Sequence, residues 1–192
     1  MQKIPTLFRR DPDDRRYVLP ELTPGCEWVL AGEGTPTRKY DGTCVMLDAS
    51  GAWWARREVK RDKVPPAGYV PVDSDPVTGR TTGWEPIEGS GFVRFHAEAV
   101  DCLPPGGAGP GTYELIGPKI NRNPEGTGHH ELVRHARAAV VTGLPPVFTW
   151  EKLREFFTGP LALTGHEGVV WHHLDGRMAK LKVRDFPAPT GR

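Results

Sequence analysis

The sequence has little of three things that often indicate a function directly: an excess of one charge, paired cysteines and long apolar runs. Its 192 residues include 25 basic and 24 acidic side chains, so the net charge of +1 provides no global field to attract nucleic acid or a membrane surface. The three cysteines, Cys26, Cys44 and Cys102, form no CxxC pair, which favours reduced thiols over a disulfide framework or a zinc knuckle. Any nucleic-acid contact must therefore come from a local basic patch.

Long apolar segments are missing as well. No run approaches the ~18 apolar residues of a membrane span, and the N-terminus lacks the apolar core of a signal peptide. We therefore expect a cytoplasmic protein with no membrane attachment. The 23 glycines and 20 prolines indicate many short elements, as in a strand-rich fold. A chain of this length supports one core, so we expect a polar arm over residues 1–24, wrapped on the surface, and a single domain over 25–192.

The most informative stretch is a Lys-x-Asp-Gly element that begins at Lys39 and lies between two strand-like runs. We interpret Lys39 as a covalent nucleophile. A lysine amine attacks only when it is neutral, and its unperturbed pKa is ~10.4, so cations, a metal or desolvation nearby must lower that value. Asp41 lies on the same side as Lys39 if the segment is extended, and Gly42 lets the backbone turn or a ligand approach closely.

Short runs rich in β-forming residues predict most of the secondary structure. The predicted strands are Glu27–Ala31, Thr43–Asp48, Trp53–Val59, Phe92–Ala97 and Thr112–Ile116. Residues 64–91 are rich in turn-forming residues and predict a long loop. Thr149 is a candidate N-cap for a helix that ends at Gly159, whereas residues 131–141 fit either a helix or a strand.

The C-terminal part predicts a β-hairpin of Glu167–His173 and Arg177–Arg184. Strand alternation places the side chains of the second strand on two faces. One face is apolar, and the other carries Met178, Lys180, Lys182 and Arg184. Two lysines and an arginine should therefore share one surface.

In order, the chain contains five short motifs whose combination is more specific than any one of them. They are Lys39-Tyr-Asp-Gly42, Trp54-Ala-Arg-Arg57, Tyr113-Glu-Leu-Ile-Gly117, Glu167-Gly-Val-Val170 and Lys180-Leu-Lys182. This order resembles the covalent nucleotidyltransferase superfamily of ATP-dependent RNA and DNA ligases and mRNA capping enzymes. The context around Lys39 and the run from Glu114 to Pro124 resemble most closely the compact 5′-to-3′ RNA ligases.

The resemblance implies a role for each matching residue. Lys39 would attack the α-phosphorus of ATP and form lysyl-AMP, while Lys180 and Lys182 would hold the α-phosphate and help keep Lys39 neutral. Glu167 would help to hold Mg²⁺, with Mn²⁺ as an alternative, near the phosphates. The remaining nucleotide contacts would come from Asp41 and Gly42 of the nucleophile motif, from Glu114, and from Arg56 or Arg57, with Arg56 favoured.

The resemblance also implies an α+β nucleotidyltransferase (ligase adenylation) domain in which twisted antiparallel β-sheets flank a nucleotide cleft. Because the chain ends ten residues after Lys182, we expect no OB-fold domain. The substrate strand would then contact the catalytic domain, the basic run at 56–63 or a partner protein. The motifs imply an ATP-dependent RNA ligase acting on RNA with 5′-phosphate and 3′-hydroxyl ends, as in RNA repair, with DNA less favoured because Thr43-Cys44 matches the compact RNA ligases.

Three alternatives remain. One is a GTP-using, capping-type guanylyltransferase, because the five motifs do not distinguish the base. Another is a non-catalytic nucleotide- or RNA-end-binding module, against which the presence of the nucleophile argues. A zinc protease is disfavoured, because His130 and His135 are five residues apart and not at the i, i+4 spacing on one helix face that such a site requires.

Overall fold

The computed structural model describes residues 3–76 and 78–187. Within these residues the fold is mixed α and β, with mostly antiparallel sheets and few helices. The strands are β1 Phe8–Arg10, β2 Val18–Leu22, β3 Thr35–Lys39, β4 Thr43–Leu47, β5 Trp53–Val59, β6 Val70–Ser74, β7 Thr81–Pro86, β8 Gly111–Ile116, β9 Glu131–Arg134, β10 Gly168–His172 and β11 Met178–Lys182. The α-helices are α1 Glu27–Leu30, α2 Val93–Asp101, α3 Trp150–Thr158 and α4 Pro160–Leu163.

The chain forms two compact units with separate hydrophobic cores. The six-stranded unit consists mainly of Asp41–Arg137, and the Lys39 unit combines Ile4–Tyr40 with the described residues from Ala138 onward. The second unit is discontinuous in sequence because the first unit is inserted between its two parts. The expected division into an arm and one domain remains a prediction.

The six-stranded unit is an antiparallel sheet in the order β6-β7-β5-β4-β8-β9. One face of this sheet packs against α2, since Val45, Ala55 and Leu115 from three adjacent strands join Ala99 of the helix in one buried cluster. Side chains alternate along each strand, so the neighbours of these core residues lie on the opposite face. Glu114, beside Leu115, is therefore directed away from the core.

The Lys39 unit contains a three-stranded antiparallel sheet in the order β11-β10-β3 and the two-stranded pair β1-β2. Its core includes Val169 and Trp171 of β10 and Ala179 and Leu181 of β11, all fully buried. Phe157 of α3 stacks on Trp171 at a ring-centroid distance of 6.3 Å. The opposite face of the three strands includes Lys39, Lys180 and Lys182.

Several predicted elements are confirmed. Thr43–Asp48 and Trp53–Val59 correspond to the paired strands β4 and β5, and the C-terminal hairpin corresponds to β10 and β11. Thr149 caps α3, where its side chain accepts a hydrogen bond from the Lys152 N–H, and the helix stops at Gly159. The ambiguous segment at 131–141 begins as the strand β9.

Other predicted elements are wrong. Glu27–Ala31 forms the helix α1, and most of Phe92–Ala97 lies in the helix α2. Residues 64–91 contain the paired strands β6 and β7 where we expected a loop, because the turn-forming residues interrupt short strands and do not replace them. Residues 1–24 do not only wrap the surface, since Leu7, 0% exposed, lies in the core.

Within residues 3–76 and 78–187, no helix is both long and apolar enough to cross a membrane. The cytoplasmic location remains a prediction.

Candidate active site

A glycine lies between the two lysines that the sequence places in the site. Gly168 of β10 pairs with Lys39 of β3 on one side and with Lys182 of β11 on the other. Cross-strand partners project from the same face of a sheet, so both lysines point to the same side. Because glycine has no side chain, the space between them is open to a neighbouring residue or a ligand.

The Gly168 position tolerates no larger residue. A Cβ atom there would overlap the Leu181 carbonyl oxygen and lie 2.8 Å from Lys182 Cα. We expect Gly168→Ala to lower the free energy of unfolding by roughly 1–3 kcal/mol, because the three strands must shift apart. Gly91→Ala is the control, since a Cβ atom at Gly91 would meet no other atom within 4 Å. Chemical denaturation measures both, and equal stabilities would contradict the close strand packing.

The Glu167 carboxylate joins the two lysines. Its Oε2 accepts a hydrogen bond from Lys39 Nζ, and its Oε1 accepts one from Lys182 Nζ. Arg184 Nη2 lies 3.5 Å from the same Oε1. The Glu167 side chain is 7% exposed, compared with 21% for Lys39 and 15% for Lys182. Three cations therefore surround one buried carboxylate, which leaves an excess of positive charge that suits an anion such as phosphate.

The protonation of Glu167 reflects this environment. Burial raises the pKa of its carboxyl group, but the charges of Lys39 and Lys182 and the hydrogen bonds that they donate lower it by more. The pKa of Glu167 therefore lies below its usual value. The group is ionised at neutral pH and holds both ammonium groups in place.

The backbone around Lys182 is fixed by a second set of contacts. Asp185 is 1% exposed, and its Oδ2 accepts the Lys182 N–H at 2.9 Å. Arg10 Nη2 donates to the other Asp185 oxygen at 2.8 Å. This connection from β1 through Asp185 orients the end of β11. Asp185 lies three positions after Lys182, and an aspartate at that spacing is able to accept the N–H at the start of a helical turn. This spacing is the sequence signal that could have identified Asp185.

The expected alternation of lysines and apolar residues is confirmed along β11 itself. Ala179 and Leu181 are fully buried, while Lys180 and Lys182 lie on the other face. The predicted strand was too long, because Val183 and Arg184 belong to a short 3-10 helix. Lys180 pairs with Val170, which is the next residue after Gly168 on the same face of β10. The Lys180 backbone forms hydrogen bonds with Pro5 and Leu7, just before β1.

In the six-stranded unit, Gly42 approaches β8 closely. Its N–H donates to Glu114 Oε1 at 3.1 Å. A Cβ at this position would overlap the Leu115 carbonyl oxygen and lie 2.8 Å from Glu114 Cγ. The glycine of the Lys-x-Asp-Gly motif is therefore required by the contact between this turn and β8.

A loop that sequence reasoning did not assign holds the same turn. Glu125 Oε1 accepts the Asp41 N–H at 2.8 Å, and Asn121 Nδ2 donates to Asp41 Oδ1 and the Gly42 carbonyl, both at 2.9 Å. Asn121, Arg122 and Asn123 all have positive φ angles, from 46° to 68°. Three consecutive non-glycine residues in this region indicate stored backbone strain. The strained loop thus fixes the conformation of the Asp41–Gly42 turn through these hydrogen bonds.

The structure separates the two candidate arginines. Arg57 lies on the α2-packed face, where its Nη1 is 3.9 Å from Oε1 of the buried Glu85. Arg56 lies on the opposite face by strand alternation, which is also the face of Glu114. Only Arg56 could therefore act on the same face of the sheet as Glu114.

The two histidines of the rejected protease motif contact different carboxylates. His130 Nδ1 is 2.8 Å from Glu98, and His135 Nε2 is 2.9 Å from Glu114 Oε2. His135 Nδ1 is 3.0 Å from Thr112 Oγ1. The contact of His135 with Glu114 could not be predicted from the sequence, because it depends on the register of β9 beside β8.

The fit of the expected Mg²⁺ depends on the nucleotide. Glu167 is the one carboxylate that the described ion pairs place between Lys39 and Lys182, and cations surround it. Mg²⁺ is commonly held by one or two carboxylates together with substrate phosphates. The residues thus fit a metal that arrives with phosphate oxygens, and they do not form a metal cage of their own.

Comparison with known proteins leaves the family open. No protein-family model matches the chain, and no curated protein sequence matches it significantly. The resemblance to covalent nucleotidyltransferases therefore remains a prediction from the five motifs.

Proposed function

We propose that the protein is an ATP-dependent covalent nucleotidyltransferase with Lys39 as its nucleophile. One observation supports this most strongly: Lys39, Glu167 and Lys182, distant in sequence, meet in one sheet with Gly168 between the lysines. A lysine that served only to pair with a surface carboxylate would not require a second, partly buried lysine on the same group. The adenylation-type fold is part of this proposal.

In the first step, Lys39 Nζ attacks the α-phosphorus of ATP. A P–N bond forms, the bond from the α-phosphorus to the bridging oxygen breaks, and pyrophosphate leaves with that electron pair. The Lys39 ammonium group gives one proton to solvent to become the attacking amine, and the nitrogen gives a second proton to solvent as the P–N bond forms, which leaves a neutral phosphoramidate. An opposite charge favours the charged form of a group, so the contact of Lys39 with Glu167 must open before the attack.

Glu167 and Lys182 exchange partners when phosphate enters. Lys182 turns from the carboxylate to the α-phosphate and stabilises the charge that builds in the transition state. Glu167 and phosphate oxygens would hold Mg²⁺, which supplies charge neutralisation of the phosphates. Lys180, on the same face, adds positive charge beside them. Contacts of Glu114 and Arg56 with the ribose remain predictions from the resemblance.

The later steps make the protein an RNA ligase. A 5′-phosphate oxygen attacks the α-phosphorus of lysyl-AMP, the P–N bond breaks, and the lysine takes up a proton. A 3′-hydroxyl then attacks the activated 5′-phosphate: a phosphodiester forms, the bond from that phosphorus to the bridging oxygen breaks, AMP leaves with the oxygen, and the hydroxyl proton passes to solvent. RNA is preferred over DNA, with recognition of 2′-hydroxyl groups as the physical basis. Faster sealing of DNA nicks than of matched RNA nicks would contradict this preference.

The test is the intact mass of the full chain after incubation with each of the four NTPs and Mg²⁺. We expect wild type to gain one AMP from ATP, and Lys39→Ala to gain none. Lys3→Ala is a matched control, since Lys3 is an exposed lysine in the same chain.

The other outcomes are also informative. A GMP adduct would indicate the capping-type alternative. If no nucleotide gives an adduct with Mg²⁺ or Mn²⁺, and the purified protein does not already contain one, the catalytic proposal is wrong and the non-catalytic binding module replaces it.

A further inference from the structure

A cysteine, a glutamate and a histidine meet on the face of the six-stranded sheet opposite its core. Their potential ligand atoms, Cys44 Sγ, a Glu114 carboxylate oxygen and a His135 ring nitrogen, all lie within 4.8 Å of one another. All three residues are partly buried, so a small ion could reach them from solvent. Cys44 and His135 have no part in the proposed chemistry at Lys39, whereas the resemblance also assigns Glu114 to the ribose.

The strands explain why the three groups converge. Cys44 of β4 and Glu114 of β8 are direct cross-strand partners, and their side chains project from the same face. His135 follows immediately after β9, the next strand of the sheet. Two adjacent strands thus present one ligand each, and the residue that follows the next strand presents the third.

The second ring nitrogen of His135 is already oriented. His135 Nδ1 lies 3.0 Å from Thr112 Oγ1, which leaves Nε2 directed at the Glu114 carboxylate. Histidines that bind metals almost always use their other ring nitrogen in such a hydrogen bond, which fixes the ring orientation. Glu114 uses Oε1 for the Gly42 N–H, so its Oε2 is the oxygen nearest His135.

The spacing suits a small tetrahedral ion. Ligands at ~2.0–2.3 Å from Zn²⁺ are roughly 3.3–3.8 Å apart, so small side-chain rotations would close the three atoms around it. A thiolate with an imidazole favours Zn²⁺ or a similar transition metal, whereas Mg²⁺ prefers oxygen ligands. Water would occupy the fourth position.

We propose that Cys44, Glu114 and His135 form a binding site for one thiophilic divalent transition metal, with Zn²⁺ the best fit. Binding releases the proton of the Cys44 thiol, and the ion takes the place of the contact between His135 Nε2 and Glu114 Oε2. The metal connects β4, β8 and the end of β9. The site shares Glu114 with the nucleotide contacts expected from the resemblance, and it binds the metal in the absence of nucleotide.

The experiment uses Co²⁺ as a spectroscopic probe on the full, metal-free chain without nucleotide. We expect one equivalent to bind, with a thiolate-to-cobalt charge-transfer band and the visible bands of a tetrahedral centre. Zn²⁺ should displace it, and excess Mg²⁺ should not. Cys44→Ser should remove the charge-transfer band, and Thr112→Val should weaken binding about tenfold through loss of the His135 hydrogen bond.

The controls are chosen from the same residue types. Cys102 is an exposed cysteine and His129 an exposed histidine, so Cys102→Ser and His129→Gln should leave the spectrum unchanged. A second measurement needs no variant: Zn²⁺ should protect Cys44, but not Cys102, from alkylation in wild type. Absence of the band in wild type, its loss in Cys102→Ser, or unchanged alkylation of Cys44 would each overturn the site.

Discussion

Lys182→Met is expected to slow formation of the AMP adduct on Lys39 by at least about 100-fold, the usual effect of removing one group that stabilises transition-state charge. Methionine keeps the unbranched shape of the side chain and removes only the ammonium group. Glu167 still contacts Lys39 and lies 3.5 Å from Arg184, so the buried carboxylate keeps positive partners and the sheet stays folded. Single-turnover adduct formation, followed by intact mass at saturating ATP, measures the rate.

Arg184→Met is the matched control, because Arg184 approaches the same Glu167 oxygen but its side chain is 71% exposed. Exposed ion pairs contribute ~0.2–1 kcal/mol, so we expect a rate within about fivefold of wild type. Chemical denaturation should give similar stabilities for the two variants. Equal adduct rates for Lys182→Met and Arg184→Met would show that Lys182 has no special role in stabilising the phosphate.

The pairing of Lys39, Glu167 and Lys182 illustrates what the sequence could predict. Strand alternation was sufficient to place Lys180 and Lys182 above a buried layer, because that pattern is local. The sequence also contained the glycine after Glu167. It could not indicate that this glycine separates Lys39 from Lys182, since that depends on how two distant segments align with β10.

The misassigned helix α2 has a different cause. The residues from Phe92 to Ala97 include apolar and polar positions that fit a strand over so short a window. Over the full helix, His96 and Ala99 are the buried residues, three apart, which is helical spacing. Ser90 Oγ also accepts the Phe92 N–H at 3.2 Å just before the helix, so a serine at this position indicates a helix start.

The polar contacts of the six-stranded unit were the least predictable feature. Asn121, Glu125 and His135 lie in a loop or at a strand end, where neither hydrophobic periodicity nor propensity indicates what a side chain contacts. Of these three residues, Asn121 was the easiest to predict from the sequence, because asparagine is several-fold enriched at positive φ. Even so, its contact with Asp41 requires the loop after β8 to return to the turn before β4.

The second large effect is on stability, and it depends on pH. At neutral pH, Glu167→Gln is expected to lower the free energy of unfolding by about 3 kcal/mol, because it leaves two mostly buried ammonium groups beside a neutral amide. Urea denaturation of wild type and variant measures the difference. Glu21→Gln is the control in the same unit, since Glu21 pairs with Arg9 at the surface and both side chains are more than half exposed.

The sign of the pH dependence follows from the lowered pKa of Glu167. A carboxyl group whose pKa is lower in the folded state stabilises the fold above its unfolded pKa of ~4.3, and this stabilisation is lost as the pH falls through the folded value. The gap between wild type and Glu167→Gln should therefore be full near pH 7 and should close as the pH falls through the lowered pKa of folded Glu167, below which wild type also has a neutral side chain. A gap that persists unchanged at low pH would mean that the loss arises from packing, and that the charge of Glu167 does not hold the two lysines.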